Sequence, residues 1–115
     1  MSKERRDKDY LGDIQDSAKR IASYTEDLTY DGFMKDSKTQ DAVVRNLEVI
    51  GEATKNLSDR LRKQHPQIPW KDLAGVRDKL IHGYFRIDYD IVWNIIQKEL
   101  PELLPQIEEL ITKES

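Results

Sequence analysis

The stretch Asp41–Leu57, "DAVVRNLEVIGEATKNL", sets the fold class. Its apolar residues Val43, Leu47, Ile50, Ala53 and Leu57 recur every three or four positions, and Leu61 extends the series. That spacing paints one stripe along a helix and suits packing within a bundle. Asp36 and Ser37 stand just upstream, where either side chain is suited to cap free backbone N–H groups, so the helix should open there. "QHPQIP" should end it, because each proline disfavours helical geometry in the residue before it.

The same period runs outward in both directions. Leu11, Ile14, Ala18, Ile21, Ala22 and Leu28 predict a first amphipathic helix over about Asp7 to Leu28, interrupted by "TYDGF" with Asp31-Gly32 as turn chemistry. Pro69 suits the first turn of a third helix, from about Trp70 to His82, with Gly83 as a left-handed stop. A fourth begins near Asp88 and carries Ile91, Val92, Ile95, Ile96 and Leu100. Pro101 and Pro105 kink or restart it before Leu103, Leu104, Ile107, Leu110 and Ile111. No strand-like alternation persists. The expectation is an all-α protein, an antiparallel bundle of four to five helices in a single domain, 1–115.

Composition narrows the chemistry. With 19 Lys+Arg against 22 Asp+Glu, the net charge of −3 argues against a broad electrostatic grip on nucleic acid, though not against a local basic cleft. The absence of cysteine removes disulfides, thiolate nucleophiles and Cys-based zinc sites. Two separated histidines form no His-Glu-x-x-His pattern and the five glycines form no phosphate loop, so neither a metal nor another cofactor is expected. Nothing places a serine on a nucleophile elbow, and Glu108-Glu109 reads as a solvated face. The charged start leads into no apolar signal region, and no run approaches the roughly 20 residues of a membrane span. The expected setting is the cytoplasm.

The unusual residues sit in "VRDKLIHGYF", Val76 to Phe85. On a continuous third helix, Trp70, Leu73, Ala74, Leu80 and Ile81 form an apolar arc with Arg77 near its middle. A guanidinium there needs a partner or solvent. Either Glu48 or Glu52, on a polar stripe with Asp41 and Arg45, satisfies it, or it lines a wet cleft and awaits an anion. His82 lies roughly 140° further round. On that helix Asp78 is one turn earlier and the helix dipole acts on the same ring; both would raise its pKa from ~6.5 toward the range useful for acid–base catalysis. The plainer alternative is a capping histidine. His65 receives no role.

"RDKLIHGYF" resembles the Arg-x4-His-x-Tyr signature of the HEPN superfamily, and more narrowly the HepT-like toxins encoded beside MNT-type minimal nucleotidyltransferase antitoxins. "DAVVRNLEVIGEATKNL", "HPQIPWKDLAGVRDKLIHGYF" and "IVWNIIQKELPELLPQIEEL" are similar to that family in its usual order, so the resemblance covers about Tyr10 to Leu110. It implies a metal-independent endoribonuclease, an all-helical homodimer in which Arg and His of both protomers meet in a composite cleft. Carried over, Arg77 and His82 are the catalytic pair, Asp78 the supporting polar residue, and Tyr84 the tyrosine that the antitoxin modifies with AMP. RNA would be the substrate. Read from the residues alone, Tyr84 also fits simple core packing. The competing reading of the whole chain is a non-catalytic, nucleotide- or partner-binding helical scaffold.

Overall fold

The computed structural model describes residues 5–82 and 86–114, with Ile81 and His82 described by their backbone. The protein is an all-α helical bundle. Helix α1 (Asp7–Thr25) packs along α3 (Ser37–Lys55), and α8 (Leu100–Glu114) closes on α1. One apolar core joins Leu11, Ile14 and Ile21 of α1, Val43, Leu47 and Ile50 of α3, and Leu103, Ile107 and Leu110 of α8. These are the stripes that the periodicity predicts, buried because each helix hides its apolar face against the others.

The local signals act where expected. The Asp36 carboxylate accepts from the Thr39 amide at 3.0 Å and the Thr39 hydroxyl at 2.6 Å, capping α3. The hydroxyl first, and then the amide, hold this carboxyl below its ordinary value. Asp88 caps α7 (Tyr89–Asn94), and Pro69 precedes α5 (Trp70–Ala74).

Other boundaries are corrected by tertiary contacts. The first helix ends at Thr25 rather than Leu28, and "TYDGF" folds into a short helix, α2 (Tyr30–Met34), capped by the Thr29 hydroxyl on Gly32 N–H at 3.0 Å. Helix α3 stops at Lys55, although the apolar stripe continues to Leu61. Ser58 begins α4 (Asp59–Gln64), and Asp7, 51 residues away, accepts from the Ser58 amide at 2.8 Å and its hydroxyl at 2.5 Å. A break satisfied across that distance leaves no local trace.

The third helix departs most. It divides at Gly75 into α5 and α6 (Val76–Leu80), and then gives way to a strand pair, β1 (Ile81–His82) antiparallel to β2 (Arg86–Ile87). The helix therefore ends at Leu80, not His82, and the expected stop at Gly83 lies outside the described residues. The last helices form one run. Between α7 and α8 lies a π-helical turn, Ile95–Glu99, in which Leu100 N–H bonds to Ile95 C=O. It stands immediately before Pro101, which has no N–H to continue an α-helical ladder. Pro105 lies inside α8, so the run passes both prolines without restarting at the second.

Gly51 decides where α5 and α6 sit. A Cβ on Gly51 would lie 3.3 Å from Leu73 O and 3.3 Å from Val76 Cγ1, with Ala74 O at 3.5 Å. The backbone of the α5–α6 junction rests on the bare face of α3. Gly51→Val should overpack this contact and destabilise the protein by about 1–3 kcal/mol, read from the midpoint of urea unfolding. Unchanged stability would show that the junction has slack to move away.

Candidate active site

Helix α6 presents its residues in an order that the short helix dictates. Val76 and Leu80, four apart, are buried against the core, which leaves Arg77, Asp78 and Lys79 exposed. Arg77 therefore does not lie in an apolar arc. The arc required one helix from Trp70 to His82, and the break at Gly75 turns the buried face onto Val76 and Leu80. Neither Glu48 nor Glu52 pairs with it, and among the described residues Arg77 has no ion-pair partner. Glu52 instead lies 4.0 Å from Lys55. Arg77 is exposed, so the reading that pairs it with a carboxylate of the second helix is not met among the described residues. Lys79 reaches Glu99 at 3.9 Å, an exposed pair of little weight.

His82 stands in β1, two residues beyond α6. The helical turn expected to bring Asp78 beside it is absent, because the backbone is extended at His82, and the helix-end argument for its charge loses its basis. In the ladder His82 pairs with Arg86, and Ile81 with Ile87. The pair is closed by Asp88 N–H donating to Leu80 C=O at 2.8 Å. Arg77 and His82 thus flank one chain corner, where α6 turns into β1. Tyr84 lies outside the described residues.

Two anchors hold this corner. Below is Gly51, as described. Beyond β2, the Asp88 carboxylate accepts from the amides of Asp90 at 3.0 Å and Ile91 at 3.2 Å. The Tyr30 hydroxyl donates to the Asp90 carboxylate, which raises the phenol above its ordinary value. Phe33 packs on Trp93 at 5.3 Å between ring centroids and edge-on to Tyr89 at 6.3 Å, so α2 grips α7. A cavity of about 230 Å³ lies beside the corner, lined in part by Leu47, Ile50, Leu73, Val76, Lys79 and Glu99. His65 contributes only its carbonyl, which accepts the Trp70 indole N–H at 2.9 Å.

A family profile described as "Ribonuclease HepT-like" matches residues 14–110. The chain belongs to the HepT-like ribonuclease family. A protein of Methanocaldococcus jannaschii with RNase in its name is 51% identical over 102 residues, covering 89% of this chain and 84% of that one. "Probable ribonuclease HepT" of Thermococcus cleftensis is 43% identical over 103 residues, 90% of this chain and 94% of its own. A Caldanaerobacter subterraneus protein, also with RNase in its name, is 44% identical over 105 residues, 91% and 94% of the two chains. No solved structure matches.

Sequence reasoning missed Gly51, Arg86 and the Tyr30–Asp90 bond. Gly51 did leave a signal, a glycine within an otherwise well-formed helical stripe. The other two arise from the strand pair and from a contact 60 residues apart. Asp88→Ala should cost about 1 kcal/mol as a lost cap and loosen the corner. Hydrogen exchange should quicken at the amides of residues 88, 90 and 91 while those of α3 keep their protection. Equal protection at all three would remove Asp88 from this role.

Proposed function

We propose that this protein is the toxin of a HEPN/MNT-type toxin–antitoxin pair, an endoribonuclease that cuts RNA without metal using Arg77 and His82. The observation that carries the reading is the family match across residues 14–110, a span that includes both residues. The exposed guanidinium of Arg77, which has no ion-pair partner among the described residues, fits it, since a phosphate ligand must reach that group from solvent.

The chemistry follows from the groups. The 2′-hydroxyl of one nucleotide loses its proton and attacks the adjacent phosphorus. The bond from phosphorus to the 5′-oxygen breaks, and that oxygen takes up a proton. The products are a 2′,3′-cyclic phosphate and a 5′-hydroxyl end, with no water consumed in this step. His82 transfers the proton at one of these oxygens, and Arg77 holds the phosphate as its charge concentrates. Asp78 supports the pair from the next position on α6. One histidine supplies one acid–base group, so a two-fold homodimer, with an Arg77 and a His82 from each protomer, completes the set. Tyr84 is the acceptor for AMP transferred by the antitoxin. The added phosphate brings negative charge and bulk to the place where RNA must bind.

Incubation of a labelled RNA with the purified protein in EDTA should give cleavage, and His82→Ala should lower the rate by about 10²–10⁴-fold with unchanged circular dichroism. Arg77→Ala should fall in parallel, and light scattering should give the mass of a dimer. Full activity in the His82 variant would refute the assignment. A wild-type protein that leaves RNA intact in EDTA would instead fit a scaffold role.

A further inference from the structure

Arg86 has no role in the reading above, yet it occupies the register position opposite His82 in the β1–β2 ladder. Its side chain is exposed. An exposed arginine can pair with a nearby carboxylate. Here the two closest in sequence are already engaged. Asp88 accepts from the amides of Asp90 and Ile91 at the start of α7, and Asp90 accepts from the Tyr30 hydroxyl. Glu99, on the π-helical turn, lies against Lys79. Among the described residues Arg86 makes no ion pair, as Arg77 makes none. Asp78 is exposed, adjoins Arg77 in sequence and makes no ion pair among the described residues.

We infer that Arg86 binds an RNA phosphate next to the one that is cut, and so sets substrate affinity rather than the rate of the chemical step. The position favours this role over a structural one. A strand pair of two residues each has fixed backbone register, so the base of the Arg86 side chain is held at a set distance from His82. Neighbouring phosphates along a single strand are spaced by several ångströms, and a long arginine stem spans that interval. The planar guanidinium engages a phosphate with two parallel hydrogen bonds. Nothing in the core depends on it, since the side chain faces solvent.

The inference rests on RNA being the substrate, and its test separates that premise from the role of Arg86. Binding of a fluorescent single-stranded RNA to His82→Ala protein is measured across a salt series, with and without Arg86→Gln. The second change should weaken binding about five- to tenfold. It should also flatten the slope of log K against log salt by about 0.7, the contribution of one phosphate contact on a single strand. Arg86→Lys should restore the slope, because the charge returns. In the otherwise wild-type protein, Arg86→Gln should raise KM and leave kcat nearly unchanged.

Equal affinity and slope with and without Arg86 would overturn the inference, and so would a fall in kcat at constant KM. Failure of the parent protein to bind RNA would overturn it together with its premise. If His82→Ala protein still cleaves RNA, the proposed catalytic residue fails, while the loss of affinity and slope in Arg86→Gln still supports the phosphate contact.

Discussion

The arrangement depends on one close approach, the backbone of Leu73 and Ala74 lying against Gly51. Two helical segments with side chains at the contact sit 8–10 Å apart. At Gly51 there is no Cβ on α3, and the space one would need is taken by Leu73 O and Val76 Cγ1, each 3.3 Å from its position. Val76 and Leu80 can then reach the core that α1, α3 and α8 share. Once both are buried, the rotation of α6 is fixed, and Arg77, Asp78 and Lys79 must point outward. The exposure of the motif arginine is thus a consequence of burial at Val76 before it and Leu80 after it, and ultimately of a missing side chain on another helix.

The second constraint comes from the opposite direction along the chain. After β2, the backbone must enter α7 at a defined angle, and Asp88 defines it twice. Its amide closes the ladder on Leu80, and its carboxylate opens the next helix. The Phe33, Tyr89 and Trp93 rings then bind α7 to α2, with Tyr30 adding a hydrogen bond to Asp90. A ladder of two residues per strand is far below the size that is stable on its own. It forms where both of its outer ends run into packed helices, α6 before β1 and α7 after β2.

How much of this the sequence discloses depends on the range of each interaction. The helical class, the start of α3 at Asp36, the start of α7 at Asp88 and the buried stripes are written within four or five residues of where they act. The family resemblance, spread over three segments, is equally visible. The end of α3 is not, because Asp7 stabilises the break from 51 residues away. The division of the third helix is hidden too. Gly75 alone is a weak breaker, and the strand pair that replaces the last turn is settled by Asp88 and by packing around α7. Missing the break at Gly75 puts Arg77 on the wrong face, and extending the helix two residues beyond Leu80 puts Asp78 beside His82. The motif was legible as a string, but its geometry required the tertiary fold.

Charge gives the same lesson on a different scale. A net charge of −3 speaks against a protein that grips nucleic acid over its whole surface. Yet cleavage of one phosphodiester needs only a few cations at one corner, and the field that matters is set within about 10 Å at ordinary salt. Here the surrounding carboxylates are drawn off into structural tasks: Asp88 into a cap, Asp90 into a bond with Tyr30, Glu99 toward Lys79. Each of these interactions is worth little as stability. Arg77 and Arg86 make no ion pair among the described residues, on either side of the corner between α6 and β2. An acidic protein can therefore present single exposed guanidiniums to a phosphate without a broadly cationic surface around them.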